Sequence, residues 1–111
     1  SIDALLGREK VLPIQSLFGI GIKERRICVT GAGGSIGSEL CKQIICLEPT
    51  SIILLDNSEP NLHKIYEELK LLNKKDTFLK AQLSNACEYE STLEIFKREK
   101  IDIVFHAYIL M

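Results

Sequence analysis

The chain has 111 residues, 14 Lys and Arg against 15 Asp and Glu, a hydrophobic fraction of 46% and four cysteines, which is enough for one domain and no more. A net charge of -1 offers no electrostatic footprint for nucleic acid or anionic lipid, and the apolar content excludes a disordered, collagen-like or coiled-coil chain. No apolar run approaches the roughly 20 residues that span a bilayer, and the first residues lack the basic and apolar regions of a secretory signal. The expected location is therefore cytoplasmic, with no nucleic-acid partner and no membrane segment.

Residues 1–24 read as a leader or linker that precedes the domain, and residues 25–111 as the domain itself. Gly7 ends a helical turn, and Pro13 introduces a second apolar piece interrupted by Gly19 and Gly21. Ile27, Cys28, Val29 and Thr30 form a short apolar run stopped by Gly31, the pattern of a buried parallel strand. Ile36, Leu40, Ile44 and Leu47 follow at helical spacing, and Pro49 closes that segment. Residues 51–56 are a second buried strand. Ser58 caps a second helix with Pro60 in its first turn, and its apolar face is Leu62, Ile65, Tyr66, Leu69 and Leu72. Residues 77–83 alternate as a third strand.

A third helix is expected over residues 88–100, with Glu88, Glu90 and Glu94 toward its start and Lys97, Arg98 and Lys100 at its end, the polarity that the helix dipole favours. Residues 101–105 make a fourth strand. Strands alternating with helices of this length predict an α/β fold: a Rossmann-like parallel sheet with helices on both faces, truncated to about four strands in the order 3-2-1-4. Cys28, Cys41, Cys46 and Cys87 show neither a C-x-x-C pair nor zinc-ligand spacing, so they read as reduced thiols in small apolar positions, with no metal site.

The segment that carries chemistry is Gly31-Ala32-Gly33-Gly34-Ser35-Ile36-Gly37, which leaves a predicted strand and opens a predicted helix. Gly31 suits the tight turn, Gly34 lets main chain approach a pyrophosphate, and Gly37 lets the helix lie close to the sheet. The free amides of the helix start would face the anion, and Ser35 adds a hydroxyl. A phosphate loop of the Walker type is excluded, because Gly37 is followed by Ser38-Glu39 rather than by lysine. The stricter G-x-G-x-x-G pattern fails at Ile36. The bland alternative is a glycine-rich turn that binds nothing.

Asp56 ends the second strand 19 positions after Gly37, close to the offset of the ribose-binding acid in dinucleotide folds. A carboxylate there accepts from ribose hydroxyls and repels a 2′-phosphate. Asn57, Ser58, His63 and Lys64 follow closely enough to reach such a phosphate, so NAD and NADP both stay open; a solvated strand-end aspartate is the other reading. His106 and Ala107 follow the fourth strand at the edge of the expected site, where His106 suits a structural or ribose-side role better than that of a base. Tyr66 and Lys70 match the Tyr-x-x-x-Lys spacing of many reductases, but mid-helix on the wrong element.

Residues 30–40, TGAGGSIGSEL, resemble the nucleotide-binding loop of extended short-chain dehydrogenase/reductases, and more narrowly that of the CapD-like polysaccharide biosynthesis branch, which includes UDP-N-acetylglucosamine 4,6-dehydratases. Asp3-Ala4-Leu5-Leu6-Gly7-Arg8 resembles the D-L-L-G-R element that precedes this domain in long, membrane-anchored members. Leu55-Asp56-Asn57-Ser58-Glu59 resembles the branch's L-D-x-S-E, and Val104-Phe105-His106-Ala107 the start of its V-F-H-A-A-A-x-K-H-V. Two departures stand out: Ser84-Asn85-Ala86 replaces the usual Gly-Asp-Val, leaving Asn85 at the adenine edge, and Tyr108-Ile109-Leu110-Met111 replaces the later alanines, lysine and histidine.

The resemblance implies NADP or NAD as cofactor, held by Gly31, Gly33, Gly34, Ser35, Ile36, Gly37, Asp56, Asn57, Ser58, Asn85 and Ala107. In whole members, hydride leaves the sugar's 4-position, water is eliminated across the 5,6 bond, and hydride returns to the 6-position. The acid and base elements lie further along the family pattern, so no catalytic residue is assigned here, and a UDP-sugar is expected only with a full-length protein. The expectation is the cofactor-binding portion of a nucleotide-sugar dehydratase or epimerase for capsule, O-antigen or glycan synthesis, inactive alone. The alternatives are a non-catalytic dinucleotide module and a nonfunctional remnant. A longer anchored protein would place it at the cytoplasmic face of the inner membrane. The open edge of the fourth strand predicts marginal stability or self-association.

Overall fold

The computed structural model describes residues 21–84 and 88–107; the leader's helical turn and most of its apolar piece, Asn85, Ala86, Cys87 and residues 108–111 lie outside them. Within them, β1 (Arg26–Thr30), α1 (Ser35–Ile45), β2 (Ser51–Asp56), α2 (Glu59–Leu72), β3 (Phe78–Leu83), α3 (Tyr89–Arg98) and β4 (Ile103–His106) alternate. Every strand pair is parallel and the order is β3-β2-β1-β4. Two successive crossovers in one direction put α1 and α2 on the same face, and the return crossover puts α3 on the other.

β2 lies inside the sheet and is buried along its whole length, which explains its unbroken apolar run. Its side chains divide by the period of two. Ile52 and Leu54 join Ile27, Val29, Leu40, Ile44, Leu62, Ile65 and Leu69 in the larger core beneath α1 and α2. Ile53 and Leu55 join Cys28 and Ile95 beneath α3. That second face is thinner, and charge helps to hold it: Lys80 of β3 meets Glu99 at 2.8 Å, and Arg98 donates to Gln82 at 2.7 Å. The Lys80 ammonium holds the Glu99 carboxyl below the usual carboxylate range.

Several boundaries differ from the sequence expectation for local reasons. β4 begins at Ile103 rather than at 101, because Lys100 takes a left-handed φ of 54° and the Ile101 amide still donates to the Phe96 carbonyl at the exit of α3. Asp102 then docks the strand: its amide donates to the Arg26 carbonyl at 2.7 Å, and its carboxylate accepts from the Arg26 amide at 2.8 Å. Thr77 is taken out of β3 by a clamp with Asn73 and a 2.8 Å bond to the Pro49 carbonyl. Leu72, expected on the apolar face of α2, is 41% exposed. Ile22, placed in the leader by its sequence context, is 1% exposed and packs in the larger core. Among the described residues no helix is long and apolar enough to cross a membrane.

Two measurements check this packing. Leu54→Ala, at a side chain with no exposure, is expected to lower stability by about 2–5 kcal/mol in denaturant titration, whereas Leu71→Ala, at an 80% exposed position, leaves it nearly unchanged. Burial pushes the Cys28 thiol up to about 12 and raises Cys41 as well, while Cys46 is exposed. An aromatic disulfide reagent at pH 8 is therefore expected to label Cys46 readily. Cys28 and Cys41 should react only after unfolding, as read by peptide mass mapping.

Candidate functional site

The carboxyl ends of β1 and β2 meet at a turn built almost wholly from main chain. Gly31, at φ +66°, swings the chain off β1 in a conformation that other residues rarely adopt. The Ala32 amide then donates to the Leu55 carbonyl at 3.1 Å, and the Gly34 amide to the Gly31 carbonyl at 3.2 Å. These two bonds pin the turn to β2 on one side and to its own start on the other.

Gly34 is the N-cap of α1 and supplies no side-chain hydrogen bond. The first intrahelical bond is Ser38 to the Gly34 carbonyl at 2.9 Å, so the amides of Ser35, Ile36 and Gly37 have no acceptor within the helix. They emerge beside the turn with the positive end of the helix dipole behind them. That is an anion-binding geometry made without a charged side chain.

The other glycines are there for fit. A Cβ on Gly37 would overlap the Gly31 carbonyl oxygen and stand 3.0 Å from the Ala32 Cα, so the helix starts in direct contact with its own turn. A Cβ on Gly33 would lie 2.7 Å from the carbonyl carbon of Asn61, so the turn also rests on the first part of α2. The sequence places Gly33 among the cofactor residues, and its packing against Asn61 is a contact that spacing alone does not disclose.

Asp56 is 4% exposed at the end of β2. Its Oδ2 accepts from the Gly33 amide at 2.8 Å and its Oδ1 from the Ser58 amide at 2.9 Å. Asn57 and Ser58 therefore follow directly from the turn's anchor, with Ser58 as the N-cap of α2. Beyond β2 and β3, a cavity of about 370 Å³ is lined by Asn57, Ser84, Glu88 and Ile95, among others. Asn85, the expected adenine-edge residue, lies outside the described residues.

A second cavity of about 280 Å³ lies between α1 and α2, reaching from Gly34 and Ser35 to Lys42 and Lys64. Lys42 is engaged there: its ammonium meets Glu68 at 2.8 Å, and that contact raises its pKa. Across the sheet, Thr30 and His106 are register partners, with Thr30 Oγ1 3.0 Å from His106 Nδ1. The exposed His106 is thus tied to the last residue of β1. Ala107 is fully buried and packs in the larger core, the cluster that also holds Ala32 of the turn. Tyr66 and Lys70 lie together on α2, where Lys70 sits 5.5 Å over the Tyr66 ring and also pairs with Glu67. Gly31 through Gly37, Asp56, Asn57 and Ser58 are brought together, and Ala107 follows β4, the strand that pairs with β1.

Comparison with known proteins fits this geometry. Residues 27–110 match the family described as polysaccharide biosynthesis protein. The chain is 37% identical over 105 residues to the probable polysaccharide biosynthesis protein EpsC of Bacillus subtilis (strain 168), covering 95% of this chain and 18% of that protein. It is 35% identical over 107 residues to the capsular polysaccharide biosynthesis protein CapD of Staphylococcus aureus, covering 96% of this chain and 18% of that protein. The chain thus spans less than a fifth of the length of these relatives. Among solved structures, a short-chain type dehydrogenase/reductase from Mycobacterium ulcerans superposes with a TM-score of 0.68 at 17% identity, over 77% of this chain and 32% of that one. A putative D-mannonate oxidoreductase from Haemophilus influenza, solved with bound NAD, does so with a TM-score of 0.62 at 27% identity, over 75% and 30%. The chain belongs to the polysaccharide biosynthesis family and carries the Rossmann-like fold of short-chain dehydrogenase/reductases.

Proposed function

We propose that this chain is the nicotinamide-dinucleotide-binding portion of a nucleotide-sugar dehydratase or epimerase that works in polysaccharide biosynthesis. The observation that carries the reading is the row of amides at Ser35, Ile36 and Gly37 behind a cap with no side chain, in a turn where Gly33 and Gly37 leave no space for a Cβ. A diphosphate satisfies both features: it accepts from several amides at once, and it needs main chain rather than side chains at close range. A bound nicotinamide supplies hydride acceptance and return, and a UDP-sugar is the substrate assigned to the whole protein.

The residues of this chain bind and orient. Gly31, Gly33, Gly34 and Gly37 shape the turn, and Ser35 adds a hydroxyl donor to the amides. Asp56 offers its carboxylate to the adenosine ribose, with Asn57 and Ser58 beside it. The cavity between Asn57 and Ser84 is the place this reading gives to an adenine edge. His106 and Ala107 border the β4 side, where the Thr30–His106 contact ties the His106 ring to the end of β1. A buried carboxylate at residue 56 favours two free ribose hydroxyls over a 2′-phosphate, so NAD is the preferred cofactor.

Thermal-shift and calorimetric titration test this directly. NAD at 100 times its dissociation constant is expected to stabilise the chain by about 2.7 kcal/mol, with NADP binding more weakly; no response to either would remove the reading. Gly34 has an extended backbone, φ -73° and ψ 175°, open to any L residue. Gly34→Val should therefore keep the fold and lose dinucleotide affinity. Gly37→Ala should instead destabilise the apo chain by about 1–3 kcal/mol, as forced overpacking does, because its Cβ meets main chain.

A further inference from the structure

Asp56 has two oxygens and each accepts a main-chain amide from a different part of the chain. Gly33 belongs to the turn between β1 and α1, and Ser58 to the start of α2. The neighbouring main chain converges on the same point: Ala32 donates to the Leu55 carbonyl at 3.1 Å, and Ser84 donates to the Asp56 carbonyl at 2.8 Å. Residue 56 is therefore where β2, the glycine turn, the beginning of α2 and the exit of β3 are joined.

A turn rich in glycine loses much conformational freedom when it is fixed. Hydrogen bonds to an ionised acceptor are among the stronger ones available for fixing it. A carboxylate also has a property that its nearest isostere lacks. Both of its atoms accept, whereas asparagine would turn an NH₂ group toward one of the two amides.

We propose that Asp56 is a positioning residue that forms the diphosphate turn before any ligand arrives, by holding the Gly33 and Ser58 amides at once. This role is additional to a ribose contact and rests on reading the turn as a diphosphate site. It makes the affinity of the turn for a bare diphosphate depend on a residue that does not touch the diphosphate, since fixing the site in advance removes an ordering cost from binding.

Amide hydrogen exchange by NMR on the ligand-free chain tests the positioning role itself. The Gly33 amide is expected to be protected in the native chain. It and the Ser58 amide should both exchange about tenfold to hundredfold faster in Asp56→Ala, and at least one of the two in Asp56→Asn, the factor that a charge-assisted hydrogen bond represents. Ile53 and Leu54, inside β2, should stay protected in both variants and so report an intact fold. If Asp56→Ala does not fold, the native chain and Asp56→Asn decide the matter. A parallel titration uses inorganic pyrophosphate and ADP: the variants should lose affinity for both by a similar factor. An unprotected native Gly33 amide would overturn the proposal, as would a variant that binds pyrophosphate normally while losing ADP, the pattern of a ribose contact alone. A native chain that binds neither probe would remove the proposed function, and the exchange rates would still decide the role of Asp56.

Discussion

The carboxyl end of the sheet depends on one contact, that of residue 37 with the carbonyl of Gly31. With hydrogen in place of a side chain at 37, α1 begins directly against its own turn. The helix-start amides then stand beside the ends of β1 and β2 and not a side-chain width away. The rest follows from that approach. Gly31 must turn with a positive φ, the cap must be a residue that leaves the amides uncovered, and the turn must be braced from outside because, apart from the Ala32 methyl in the core, it has no side chains to brace itself. Asp56 and Asn61 supply the bracing from β2 and α2.

The architecture was largely written in the sequence, because period and punctuation report directly on elements. A continuous apolar run such as Ile52 to Leu55 belongs to a strand covered on both faces, and the sheet order follows from alternating strands and helices. Boundaries were less legible where a single residue's torsion or side-chain bond decided them. Lys100 in a left-handed conformation and Thr77 clamped by Asn73 are both decided by contacts that spacing does not encode. Ile22 was hidden for a similar reason: it ends an apolar piece broken by Gly19 and Gly21, which has no periodicity to declare that this residue is buried.

At the site, the sequence located residues better than it described their partners. The offset from Gly37 to Asp56 placed the carboxylate beside the turn, yet it pointed to a ribose and said nothing of the Gly33 and Ser58 amides. The motif named Gly33 as a cofactor residue, while its fit against Asn61 comes from a tertiary approach between α2 and the turn. Ala107 shows the reverse case. Its place after β4 suggested the site's border, and its burial in the core that also holds Ala32 is a tertiary fact that position alone does not encode.

The bare cap at Gly34 also changes what happens at the end of α1. A helix whose opening turn lacks an acceptor frays more readily than one closed by serine or aspartate. Any anion settling there would complete the missing terminus. Occupancy of the turn and the integrity of the first coil of α1 then become two sides of one equilibrium, so a substitution on the helix's outer surface that firms up its opening would tighten anion capture from a distance.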